Sequence, residues 1–296
     1  MMGRMKASLA AAGGAEGGEF NIKEMILHHL ADSPKWEVGP FAVGWEIKIP
    51  LGPVVLDLSI TKHVLFMFFA AALVLLIMIP AARHAERAHR EGAKRGPKGV
   101  ANVVEAFILF LRDEVALPNI GHGGERFVPF VVTVFFFILM CNLLGLLPWG
   151  ASPTGNISVT AALAVLSFIV IEVAGMMELG PKGYAKTIFY APEGMNLAMK
   201  IPMLIIMTPV EFLGKLTKPF ALAIRLFANM TAGHAVVLAL TGLAVTASLA
   251  GVLPVAIAPV LMAVAIMVLE LFVAFLQAYI FAMLTSVFIG LIRHSH

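Results

Sequence analysis

Charge is what this sequence has least of. Of its 296 residues, 13% are Asp, Glu, Lys or Arg, against 60% hydrophobic ones. A typical soluble domain is about 25% charged. So few charges cannot coat a water-facing surface, which excludes soluble enzymes, nucleic-acid binders and disordered tails. Cysteine is nearly missing as well: Cys141 stands alone, so the chain has no internal disulfide and no multi-thiolate metal site. Internal repeats, glycine-rich phosphate loops, nucleophile motifs and metal-ligand clusters are all lacking, and no cofactor or metal is expected. What remains, with a mean hydropathy of +0.92, is an integral membrane protein.

A crossing helix needs about 20 apolar residues, so the intervals between charges measure the crossings. The interval 63–82, between Lys62 and Arg83, fits one. The interval 127–171, between Arg126 and Glu172, is long enough for two, and Pro148-Trp149-Gly150-Ala151-Ser152-Pro153 divides it with turn-forming residues. The last third reads as two long helices, 201–243 and 254–292, with ionisable groups inside their apolar length. The expected fold is an all-α polytopic membrane protein with five transmembrane helices over about 63–82, 127–147, 157–177, 201–243 and 254–292, the C-terminal pair long and tilted. Residues 99–117 place Val100, Val103, Val104, Phe107, Ile108 and Leu111 at helical spacing, opposite Glu105, Arg112 and Asp113. That pattern predicts one interfacial amphipathic helix rather than a sixth crossing.

Basic residues orient the crossings. Arg83, Arg87, Arg90, Lys94, Arg95 and Lys98 crowd one connection, and Lys182, Lys186 and Lys200 another, whereas 148–156 and 242–253 hold no Lys or Arg. Placing the basic connections inside puts the amino terminus outside and the carboxyl terminus in the cytoplasm. The chain then divides into an outside-facing segment, 1–62, and a membrane domain, 63–296.

Ionisable groups within apolar helices are costly and mark ion or proton pathways. At about 100° per residue, Glu211, Gly214, Lys218, Ala221, Ala228, Asn229 and Ala232 all fall on the same side of helix 201–243 as Arg225. The arginine therefore stands on a floor of small residues that lets another helix come close. His234 is half a turn away and should face the protein interior. On the last helix Glu270 and Gln277 share a face. Snorkelling to the interface accounts for Lys215 and Lys218, and an interfacial position accounts for Glu172. A helix–helix hydrogen bond explains His234 as well as a proton relay does. Arg225 has no bland reading, because arginine always keeps its charge and 226–269 holds no other charged residue.

The run Pro209-Val-Glu-Phe-Leu-Gly-Lys-Leu-Thr-Lys-Pro-Phe-Ala-Leu-Ala-Ile-Arg225-Leu-Phe-Ala-Asn229-Met-Thr-Ala-Gly-His234 closely resembles subunit a of F-type ATP synthases. Asn142-Leu-Leu-Gly-Leu-Leu-Pro148, Leu276-Gln277-Ala-Tyr-Ile-Phe281 and His28-His29-Leu-Ala-Asp-Ser33 agree with it. The resemblance implies a proton-conducting stator in the bacterial plasma membrane. Its partners would be c-ring subunits, peripheral-stalk b subunits, other ATP synthase subunits and the lipid bilayer. It implies that Arg225 faces the ring carboxylate and blocks direct proton leak between two offset half-channels. Asn229, His234, Glu270 and Gln277 would line the outer route, and Glu211 the cytoplasmic one. In some members the acid and imidazole at the positions of His234 and Glu270 are interchanged, which suggests a working pair. The alternative is a secondary ion transporter with a mid-membrane site, but that class is built from repeats, and none is visible. A purely structural anchor leaves Arg225 and Glu270 unexplained.

Overall fold

The computed structural model describes residues 61–90, 99–147, 150–188, 197–249 and 251–293, together with Ile22, Ile26 and the strand residues 35–38, 41–44, 48–51 and 54–57. The His28–Ser33 motif and most of the basic connection 83–98 lie largely or wholly outside them.

Two short hairpins precede the helices. Strand β1 (Lys35–Val38) pairs antiparallel with β2 (Phe41–Gly44), Lys35 opposite Gly44, and β3 (Lys48–Leu51) pairs with β4 (Val54–Asp57), Lys48 opposite Asp57. Each pair is separated by a Gly-Pro dipeptide, a pair of residues suited to turns. The sequence reading assigned no strands to this segment.

The helices follow as α1 (Lys62–Arg90), α2 (Val100–Phe110), α3 (Leu117–Ile120), α4 (Val128–Gly145), α5 (Ile157–Ile188), α6 (Leu197–Leu249) and α7 (Leu253–Arg293). Five stretches are long and apolar enough to cross a membrane: Lys62–Arg83, Gly124–Gly145, Ile157–Ala185, Ile201–Leu249 and Pro254–Arg293. At 1.5 Å per residue, the 53 residues of α6 and the 41 of α7 far exceed a hydrocarbon core about 30 Å thick. Neither helix can stand upright across it.

Several boundaries differ from those expected. Helix α6 runs to Leu249, so the connection to α7 shrinks from 242–253 to 250–252. Thr241 and Thr246 turn their hydroxyls back onto the carbonyls of Val237, Leu238 and Gly242, so neither side chain competes for the backbone N–H groups of this end. Helix α5 continues past 177 to Ile188 but breaks at Gly180, where φ is 68°. Pro181 forces that break: it has no N–H and pushes its predecessor out of the helical region, and glycine alone takes a positive φ without strain. Helix α2 passes through a π-helical turn, Leu111–Ala116, into α3. The turn leaves Arg112, Asp113 and Glu114 exposed and Val115 and Ala116 buried. Val104 and Leu111 face inward as expected, whereas Val103 is exposed.

The chain forms two compact units. The first takes residues up to Ala70, Cys141–Asn156 and Leu226–Phe275; the second takes Ala71–Met140, Ile157–Arg225 and Leu276 onward. In the first unit, Phe66, Cys141, Leu226, Met230 and Ala274 are buried around a chain of polar groups. Thr154 donates to Asn142 Oδ1 at 2.6 Å, and Ser152 Oγ lies 2.7 Å from Thr154 Oγ1. His63 Nδ1 is 2.9 Å from the Ser152 carbonyl, and Asn142 Nδ2 donates to the Ala274 carbonyl at 3.3 Å. Residues 151–154, between α4 and α5, are therefore folded inward. In the second unit α4 supplies Val131, Phe135, Ile138 and Leu139, packed with Leu111, Ile120, Phe281 and Ile289. Phe107 stacks on Phe135 with ring centroids 6.4 Å apart.

Candidate functional site

Helix α6 carries the first group of candidates, and its exposure follows the angular reading. Glu211, Gly214, Lys218, Ala221, Arg225, Ala228, Asn229 and Ala232 are all exposed. Leu222, Ala223, Leu226 and Met230, on the other side, are buried. Large apolar residues are exposed on α6 as well, Leu213, Leu216, Phe220 and Ile224 among them, so only a narrow stripe of this helix packs inward. Arg225 makes no ion pair or hydrogen bond among the described residues.

His234 and Glu270 come together within the first unit. Nδ1 of His234 is 3.5 Å from Glu270 Oε1 and 3.0 Å from the Met230 carbonyl, while Nε2 is 2.8 Å from the Gly145 carbonyl. Both ring nitrogens thus face acceptors. A neutral imidazole has a single N–H to donate and an imidazolium has two, so a proton taken up by this ring has a place to bond. Glu270 is buried, and its Oε1 has no hydrogen-bond partner among the described residues. A Cβ on residue 233 would overlap that oxygen and lie 2.9 Å from the carboxyl carbon, so the carboxylate is admitted because Gly233 has none. Sequence reasoning placed Gly233 in a motif without seeing this contact.

Gln277, on the buried stripe of α7 with Ala274, Ala278 and Phe281, is fully enclosed. Asn229 stays on the exposed face of α6.

In the second unit a cavity of about 100 Å³ opens among α5, α6 and α7, walled by Glu172, Thr187, Lys215, Lys218 and Phe288, with Glu211 also among its lining residues. Here the sequence reading needs correcting. Lys215 does not snorkel: its side chain is 11% exposed and its Nζ stands 3.7 Å from Glu172 Oε2. The ammonium also donates to Thr187 Oγ1 at 3.3 Å and lies 4.5 Å from the centre of the Tyr184 ring. Glu172 is its partner, with a side chain 12% exposed. The long methylene stem let Lys215 fold inward toward an opposite charge on another helix. Lys218 remains exposed, with its Nζ 5.1 Å from the Phe288 ring centre.

The sequence reading also missed Arg293. Its guanidinium donates twice to Glu178 Oε2, at 2.8 and 3.2 Å, and once to the His122 carbonyl at 2.8 Å. It ties the end of α7 to α5 and to the segment before α4. A charge near a chain terminus carries no spacing signal that would have revealed it. Among the described residues no cluster of His, Cys, Asp or Glu is arranged to hold a metal ion.

A family model described as "ATP synthase A chain" matches residues 64–290. ATP synthase subunit a 2 of Chlorobaculum tepidum is 45% identical over 283 residues, covering 95% of this chain and 76% of the relative. ATP synthase subunit a of Chloroherpeton thalassium is 43% identical over 265 residues, 90% of this chain and 75% of its own length. ATP synthase subunit a of Anaeromyxobacter dehalogenans is 42% identical over 298 residues, 96% and 74% of the two chains.

Proposed function

The chain belongs to the ATP synthase A chain family, and from that premise we propose that it is the proton-translocating stator of the F-type complex, with Arg225 facing the carboxylate of a rotating c-ring. It is a multi-pass membrane subunit of ATP synthase with no catalytic centre of its own.

The observation that carries the proposal is Arg225, exposed and without a partner among the described residues, with Gly214, Ala221, Ala228 and Ala232 exposed on the same side of α6. A lone arginine at mid-bilayer costs at least about 2.5 kcal/mol on insertion scales. A helix of a neighbouring chain that brings an acid against Gly214, Ala221 and Ala228 offsets that cost. The acid is ionised beside the fixed guanidinium, releases its proton on the Glu211 side, passes the arginine and reloads from the side of His234 and Glu270. Asn229, one turn from Arg225 on the same exposed face, meets the ring acid as it reloads, and Gln277 belongs to the same outer route. The two half-channels are offset in this reading because Glu211 precedes Arg225 in the sequence of α6 and His234 follows it. Arg225 also repels a proton that would cross directly between them. Each proton moving down the membrane potential releases about 2.3 kcal/mol per 100 mV, and this turns the ring in one sense. The outer route opens outside the cell and the Glu211 side faces the cytoplasm, consistent with Lys182 and Lys186 near the end of α5. Peripheral-stalk b subunits hold the subunit against the ring.

The test is Arg225→Ala in the assembled complex in vesicles. Synthesis of ATP driven by an imposed proton gradient is expected to fall to background; synthesis at wild-type rates defeats the assignment.

A further inference from the structure

Two buried or half-buried ion pairs in the second unit differ in kind. Arg293 and Glu178 are joined by two hydrogen bonds, and a third runs to the His122 carbonyl. That is the geometry of a fastening. Glu172 and Lys215 approach no closer than 3.7 Å, Glu172 Oε2 is buried without a hydrogen bond among the described residues, and both side chains line the cavity.

We propose that Glu172 relays protons on the Glu211 side of Arg225 and that Lys215 is its positioning residue. The inference rests on the stator reading above and adds two residues to it. Three features of the cavity support it. First, Lys215 does not depend on Glu172 alone, because Thr187 Oγ1 and the face of Tyr184 hold the ammonium too. Breaking a buried pair is costly because it strands a charge, and here the lysine stays held when the carboxylate is neutralised. Second, Glu172 Oε2 surrenders no hydrogen bond when it takes up a proton. Third, a cavity of this size admits several waters between polar walls, and the exposed Glu211 also lines it. The charged groups facing Glu172 are Lys215, Lys218 and Glu211, all on α6; α7 contributes the apolar Phe288, Leu291 and Ile292. In the relay an O–H bond of protonated cavity water breaks as the proton bonds to Glu172 Oε2. That O–H bond then breaks as the proton bonds to another cavity water and from there to the Glu211 carboxylate, so each O–H bond formed matches one broken.

A structural pair and a relay predict opposite outcomes for a double substitution. In inverted membrane vesicles carrying the whole complex, ATP-driven proton uptake is compared for Glu172→Gln, Lys215→Gln and the double variant, each normalised to the amount of assembled complex. For a relay, Glu172→Gln lowers uptake by about tenfold or more, and the double variant is no better, because the proton-carrying oxygen is still gone. For a purely structural pair, the double variant removes both charges and recovers toward wild type. Recovery in the double variant, or full uptake in Glu172→Gln, overturns the proposal. Where Glu172→Gln fails to assemble, the charge-balanced double variant decides alone. Arg225→Ala in the same vesicles tests the underlying stator reading separately: uptake retained there refutes that reading, whatever Glu172 does.

Discussion

The Glu270 carboxylate occupies the space that a Cβ of residue 233 would fill, and its Oε1 is 3.5 Å from Nδ1 of His234. Three residues on two helices are thereby held in one arrangement, and the one without a side chain sets the distance. Adding a methyl group in Gly233→Ala has to push the carboxylate or α7 aside. Displacements of about 1 Å in a proton-transfer site cost on the order of 100-fold. We expect ATP-driven acidification by assembled complexes to fall at least about tenfold. Gly155→Ala, whose Cβ would meet Ser152 at 4.0 Å, should stay near wild type and serves as the control.

If His234 and Glu270 work as one relay, what matters is that an acid and an imidazole face each other. Single substitutions His234→Ala and Glu270→Ala should each impair proton flux more than the exchange His234→Glu with Glu270→His. Dye-quench measurements on vesicles, normalised to assembled complex, rank the three. Equal losses would mean that the groups act separately, with each tied to its own helix.

Helical periodicity made the exposed face of α6 legible in the sequence, because phase along one helix needs no knowledge of any other. The length of the apolar intervals did the same for the five long helices. Partnerships between helices were harder. His234 and Glu270 were expected to act together on an inherited pattern of residues and not on geometry, and the Gly233 contact was invisible. Lys215 and Glu172 each lie near the end of an apolar run, where a snorkelling side chain and a buried ion pair leave the same trace in sequence. The turn-rich stretch 148–155 read only as a divider between two crossings, since nothing local announces that Ser152 and Thr154 find buried partners in His63 and Asn142. The strands escaped notice because charge intervals report crossings and say nothing of short hairpins.

Asn142 is a structural hub of that inward-folded segment. It accepts from Thr154 and donates to the Ala274 carbonyl, with no exposed surface of its own. Asn142→Ala removes one hydrogen bond from the Thr154 hydroxyl, which keeps Ser152, and one from the Ala274 carbonyl, which stays within helix α7. Each such bond contributes about 0.5–1.5 kcal/mol, and the lost side-chain volume adds to the cost. The purified subunit in detergent should therefore unfold at a lower temperature than wild type. Thr154→Val removes the bonds to Asn142 and Ser152 but should cost less, because it keeps the volume. Equal melting temperatures for Asn142→Ala and wild type would show that this network contributes nothing.

The Arg293–Glu178 fastening is asymmetric, and the asymmetry is testable. The Arg293 side chain is 5% exposed and that of Glu178 is 50% exposed. Replacing Arg293 by Met leaves a carboxylate that water can solvate and an apolar chain of similar length in the buried site. Replacing Glu178 by Ala leaves a guanidinium in an enclosed site with one hydrogen bond, to the His122 carbonyl, and with Nη1 already unpartnered among the described residues. Stranding a buried charge costs about 3–5 kcal/mol. Removing the buried partner of a solvated one costs little beyond packing. Glu178→Ala should thus destabilise the subunit more than Arg293→Met, even though Glu178 is the more exposed residue. Thermal unfolding of the two variants in the same detergent gives the order directly, and the reverse order would mean that the contact works through the carboxylate rather than the guanidinium.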